Sequence, residues 1–156
     1  MKRTIEWVWI LAVLLLVAAL TPHDAPAQVP SFYFGSQACS FGTSVPTGTE
    51  TTLVTSAPLS TQGPRAIYLH GQAVLTAGTG TTAFTLRIRR GSGTGGANVI
   101  TPTAISATAG GTADYDFTVI DTPGEVAGQQ YTLTVQPTGA SAAGTAQTCT
   151  LQYAAY

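Results

Sequence analysis

Residues 66–90 read AIYLHGQAVLTAGTGTTAFTLRIRR, two alternating runs joined by a turn of Ala, Gly and Thr. In the first run Ile67, Leu69, Gly71, Ala73 and Leu75 share one face, and Tyr68, His70 and Gln72 share the other. In the second, Phe84, Leu86 and Ile88 alternate with Thr85, Arg87 and Arg89. A period of two places side chains on opposite faces of an extended chain, so each run predicts a strand with one dry and one wet face. Any domain containing this pair must cover its dry faces.

The same pattern recurs on both sides. Residues 31–34 (SFYF) form a short aromatic run leading to Cys39, and residues 50–56 (ETTLVTS) a β-branched one. Residues 57–64 read as loop, held by Pro58 and Pro64, and Gly91 to Gly96 (GSGTGG) as an exposed, flexible tip. Residues 98–106 predict a strand that Pro102 weakens, which suits a sheet edge. Residues 113–121 (ADYDFTVID) turn Tyr115, Phe117 and Val119 one way and Asp114 and Asp116 the other. Thr122-Pro123-Gly124 has the order of a type II turn. Tyr131, Leu133 and Val135 point inward from the next run, and Cys149, Leu151 and Tyr153 share a face of the last. About eight strands and no amphipathic helix after residue 27 make an all-β, two-sheet antiparallel sandwich. No fixed internal period supports a solenoid or propeller.

The first 27 residues differ. Lys2 and Arg3 precede the unbroken apolar run Trp7 to Leu20, and the polar stretch after it ends Ala25-Pro26-Ala27. That three-part layout is that of a signal peptide cleaved after Ala27, leaving residues 28–156 as one β-sandwich domain. The alternative is an uncleaved hydrophobic helix at residues 5–21 acting as a membrane anchor; the run is short for a span of about 20 residues. Charged residues are 8% of the chain and the formal net charge is -1, which excludes the basic footprint of a nucleic-acid binder. The expected location is therefore secreted or cell-surface, with membrane contact only if the leader stays.

Cys39 and Cys149 are the only cysteines. In an exported chain they are expected to bond, closing a loop of about 110 residues; two buried thiols are the alternative. They are too far apart, with no Trp between them, for an immunoglobulin pattern, and too few for a metal site.

Two stretches, AVLTAGTGTTAFTLRIRRGSGT (residues 73–94) and FTVIDTPGEVAGQQYTLTVQPTG (residues 117–139), resemble phage-type and viral β-sandwich domains of the tumour-necrosis-factor/C1q-like jelly-roll type. The resemblance implies that the first and last strands are neighbours, bringing Cys39 and Cys149 together. It implies that the strand at 66–75 lies beside 113–121, while 83–90 crosses to the other sheet and sets Arg87 and Arg89 near Thr132 and Thr134; a simple hairpin pairing 66–75 with 83–90 through the short turn Gly78-Thr79-Gly80 is the alternative. It also implies a homo-oligomer, often a trimer, whose interface the aromatic ends Phe32, Tyr33, Phe34, Tyr153 and Tyr156 would cover.

The sequence carries no catalytic set. His70, the one histidine after the leader, and the pair Asp114 and Asp116 stand where solvated strand residues stand. Arg87, Arg89 and Arg90 form the one basic cluster, read either as a charged outer face that discourages edge pairing or as a contact for an anionic ligand. No nucleophile, phosphate-loop or zinc motif is present and no cofactor is implied. The expectation is a non-enzymatic exported structural module that self-associates, with a carbohydrate- or other ligand-binding surface module as the alternative.

Overall fold

The computed structural model describes residues 33–61, 66–124, 126–139 and 143–156. The leader, the alternative anchor at 5–21 and Phe32 lie outside the described residues. Twelve strands follow in order: β1 Tyr33–Ala38, β2 Thr43–Val45, β3 Thr51–Thr55, β4 Leu59–Thr61, β5 Ile67–Ala77, β6 Thr82–Arg90, β7 Ala97–Ile100, β8 Ile105–Ala107, β9 Thr112–Asp121, β10 Val126–Gln129, β11 Tyr131–Thr138 and β12 Gly144–Ala155. The expectation of about eight is corrected upward. Residues 57–64, read as loop, contain β4, which pairs with β10 across the chain, and β2 is a further short strand on β12. Residues 98–106 split around Pro102 into β7 and β8, which both pair with β6. A proline has no N–H to give a ladder, so the break falls where the sequence put the weakness, on an outer position of the sheet.

The first sheet runs β1-β12-β5-β9, with β2 also on β12; the second runs β3-β11-β6-β7, with β8 also on β6. All pairs are antiparallel, and the first and last strands of the described domain are neighbours. This is the strand order of a jelly roll, in which consecutive strands cross between sheets. The central pair shows it: β5 lies on β9 with Ile67 opposite Asp121 and Thr76 opposite Thr112. β6 lies on β11 instead, with Arg87 opposite Thr134 and Arg89 opposite Thr132. The crossing occurs at Gly78, whose N–H donates to the Ala143 carbonyl at 2.9 Å. A Cβ there would stand 2.7 Å from that oxygen, so the crossover requires glycine.

The core lies between the sheets. Ile67, Leu69, Ala73 and Leu75 of β5 and Leu151 and Tyr153 of β12 face Phe84, Leu86 and Ile88 of β6 and Tyr131, Leu133 and Val135 of β11. Tyr115 links the layers: its hydroxyl donates to the Phe84 carbonyl and accepts from the Ile105 N–H at 2.8 Å. Tyr153 belongs to this core, at 1% exposure, which corrects its assignment to an interface. The reason is parity with Cys149 and Leu151. Its ring occupies the space opposite Gly35, where a Cβ would come within 2.4 Å, and its hydroxyl accepts from the Ala57 N–H at 3.2 Å. The Cys39–Cys149 bond is present, with Cα atoms 5.4 Å apart across the β1–β12 ladder.

Candidate interaction surface

The outward face of the first sheet is built from the wet positions of four strands. Residues opposite one another on an antiparallel ladder share a face, so each register row crosses the whole sheet. One row is Phe34, Ala154, Tyr68 and Ile120. Phe34 is 72% exposed and Ile120 64%. Tyr156, 54% exposed, stands at the same end, its N–H donating to the Ala66 carbonyl. An apolar stripe therefore crosses the end of the sheet at which β1 begins and β12 finishes. Of the aromatic residues expected at an interface, Phe34 and Tyr156 are brought here. Tyr33 opens β1 at this end, opposite Ala155.

The rows beyond the stripe are polar. His70 Nε2 lies 2.9 Å from Asp116 Oδ1, and Gln72 Nε2 donates to Asp116 Oδ2 at 2.9 Å. Thr150 donates to Gln72 at 3.4 Å. The Gln72 amide, followed by the charge and hydrogen bond of His70, holds the Asp116 carboxyl below the usual carboxylate range despite its full exposure. Next to this network a shallow depression of about 360 Å³ is lined by Gln72, Val74, Asp114, Asp116, Thr148 and Thr150, beside the irregularity of β12 between Ala146 and Thr148. Its mouth is open and its polar groups converge loosely.

The three arginines do not form one cationic patch. Arg87 and Arg89 point outward from β6, and Arg90 continues the inward series Phe84, Leu86, Ile88 to the rim of the sandwich. Arg89 makes a two-point contact with Glu50, Nε to Oε1 at 2.6 Å and Nη2 to Oε2 at 2.5 Å, and donates from Nη1 to the Gly96 carbonyl at 2.7 Å. Arg87 Nη1 lies 3.7 Å from the same carboxylate, and Thr134 donates to it as well. Arg90 makes its own two-point contact with Asp121, which also accepts from the Tyr131 hydroxyl at 2.6 Å. Asp121 is the last inward residue of β9, so this pair joins the two sheets. Burial, then the neighbouring Asp121 carboxylate, pushes the Tyr131 hydroxyl pKa upward. Each of the three arginines faces a carboxylate of the chain, Glu50 for Arg87 and Arg89 and Asp121 for Arg90. Glu50 and Asp121 are the partners that the sequence reading did not assign.

The glycine tip is not free either. Thr132 donates to the Gly91 carbonyl at 2.7 Å and accepts from the Gly93 N–H at 3.1 Å. This brings the loop to the outward side of β11 at Thr132, which is buried; Thr134, also buried, donates to the Glu50 carboxylate instead.

Glu50 gives a pH dependence. Its carboxyl is held below the ordinary value, chiefly by the Arg89 hydrogen bond. A carboxyl with a lower pKa folded than unfolded contributes stability above its ordinary value and loses it as pH falls through the folded one. Thermal melts from pH 6 down to about pH 3 should fall more steeply for the native chain than for Glu50→Gln. Parallel curves would show that Glu50 carries no such linkage.

Among the described residues no group of three His, Cys, Asp or Glu is placed to hold a metal ion. No protein-family model matches the chain, and no curated protein does. Solved structures do. Similar chains include one in the T13 particle of infectious bursal disease virus (TM-score 0.58, 13% identity, 78% of this chain and 31% of that one) and one in the Gx strain of that virus (0.57, 14%, 79% and 32%). A third is the VP2 subviral particle of the same virus (0.53, 18%, 81% and 33%). The chain spans about a third of the length of each. The likeness is one of fold, the two-sheet β-sandwich.

Proposed function

We propose that this chain is a non-enzymatic structural module that is exported and works by self-association. The observation that carries the reading is the apolar stripe Phe34, Ala154, Tyr68 and Ile120, extended by Tyr156, on the outward face of an otherwise polar sheet. Exposed apolar side chains in one continuous row favour a protein contact over solvent. The jelly-roll fold supports the reading, since the similar solved chains are those of viral particles. The disulfide and the three-part leader support an oxidising, extracytoplasmic location.

Sedimentation velocity of the exported protein tests this. The native chain should sediment as a homo-oligomer, and Phe34→Ser, at the exposed β1 end of the stripe, should shift it toward the monomer. A native chain that stays monomeric to millimolar concentration would reject the reading. A second reading, a glycan-binding surface module, is favoured by the depression lined by Gln72, Asp114, Asp116, Thr148 and Thr150. Saturable binding to a glycan array by monomer, abolished by Gln72→Ala, would favour it instead.

A further inference from the structure

The first sheet has two outer edges, and they are built differently. β9 carries Asp114 and Asp116 side by side on its outward face. Charges on an edge strand discourage pairing with another chain, because two such edges would set carboxylate against carboxylate. β1 reads YFGSQA, with no charge and no proline, and its register against β12 runs without a bulge from Tyr33 to Ala38. It lacks the devices by which edge strands avoid partners.

The direction of its free backbone groups follows from one hydrogen bond. The Cys39 N–H donates to the Cys149 carbonyl at 3.1 Å, which makes that pair a hydrogen-bonded one. Hydrogen-bonded and non-hydrogen-bonded pairs alternate along an antiparallel ladder. Gly35 and Gln37 therefore turn their N–H and C=O groups toward β12, while Phe34, Ser36 and Ala38 turn theirs to the open side. Among the described residues no strand pairs with that side. Gln37 lies opposite Leu151, on the inward face, yet is exposed, so the second sheet does not cover this edge.

We infer that β1 pairs antiparallel with β1 of a second copy, so that the first sheets of two molecules run on into one. This rests on the self-association reading and names its contact. The pairing is the same patch on both partners and closes as a two-fold dimer. It places no like charges opposite one another, sets the acidic β9 edges at the far ends of the joined sheet, and brings the two Phe34 rings to the same face.

Ser36→Pro tests it. The Ser36 N–H points to the open side, so proline there removes an edge donor without removing a β1–β12 bond. Ser36→Lys is the second variant, since it sets cations close together across the seam. With the exported full domain, light scattering over a concentration series should show each variant dissociating at concentrations at least about tenfold above the native chain, a change of about 1.4 kcal/mol. Far-ultraviolet circular dichroism should stay the same. If both variants assemble like the native chain while Phe34→Ser does not, β1 pairing is overturned and self-association through the stripe stands. If the native chain itself is monomeric throughout, both fall.

Discussion

Replacing Cys39 and Cys149 together by alanine is expected to remove about 4–5 kcal/mol of stability. The bond closes a loop with a sequence separation of 110, and cross-linking so long a loop withdraws much conformational freedom from the unfolded chain. It also fixes β1 where that strand leaves the sheet, and among the described residues β1 pairs with β12 alone. Urea unfolding of the native and double-alanine chains should give midpoints that differ by that amount divided by the urea slope. The thermal midpoint should fall by roughly 10–20 °C. Equal midpoints would mean that the unfolded chain gains little freedom when the bond is absent.

The second large effect is at Glu50. Its carboxylate, 15% exposed, accepts hydrogen bonds from Arg89 and Thr134 and lies 3.7 Å from Arg87 Nη1, and the two arginine side chains are exposed to a similar degree. Glu50→Ala leaves two largely covered cations facing one another with no anion and strands the buried Thr134 hydroxyl. Breaking such a group by removing one partner costs about 3–5 kcal/mol. Adding Arg89→Met to Glu50→Ala should recover part of the loss, because the cation that needed the carboxylate goes with it. Denaturant unfolding of the single and double variants checks both statements. A Glu50→Ala chain within about 1 kcal/mol of the native one would show that water, not the carboxylate, satisfies the arginines.

Much of this architecture was legible in the sequence because alternation is a local signal. The long strands β5, β6, β9, β11 and β12 each carry it, and their inward residues are the core. The crossing of β5 and β6 into different sheets is not a local property, since the short linker between them would equally suit a hairpin. It followed from the resemblance. The strands missed, β2, β4 and β10, are three or four residues long and owe their form to a partner strand. Their sequences, TSV, LST and VAGQ, are too short to show an alternation of their own.

The surface divides in the same way. Tyr153 and Asp121 could have been placed by parity alone: Tyr153 follows Cys149 and Leu151, and Asp121 ends the series Tyr115, Phe117, Val119. Arg90 likewise differs in parity from Arg87 and Arg89, so the basic cluster was never on one face. Glu50 could not be found this way. It precedes β3 in the chain and reaches the arginines through a sheet order that no local pattern states. The apolar stripe is also a product of register, since Phe34, Tyr68, Ile120 and Ala154 come from four separate strands.

The native mass spectrum of the protein recovered from a secreting host tests the central claim most directly. Self-association through an exported domain predicts an even multiple of a chain that begins at Gln28. A mass of one chain at every concentration sampled would contradict it.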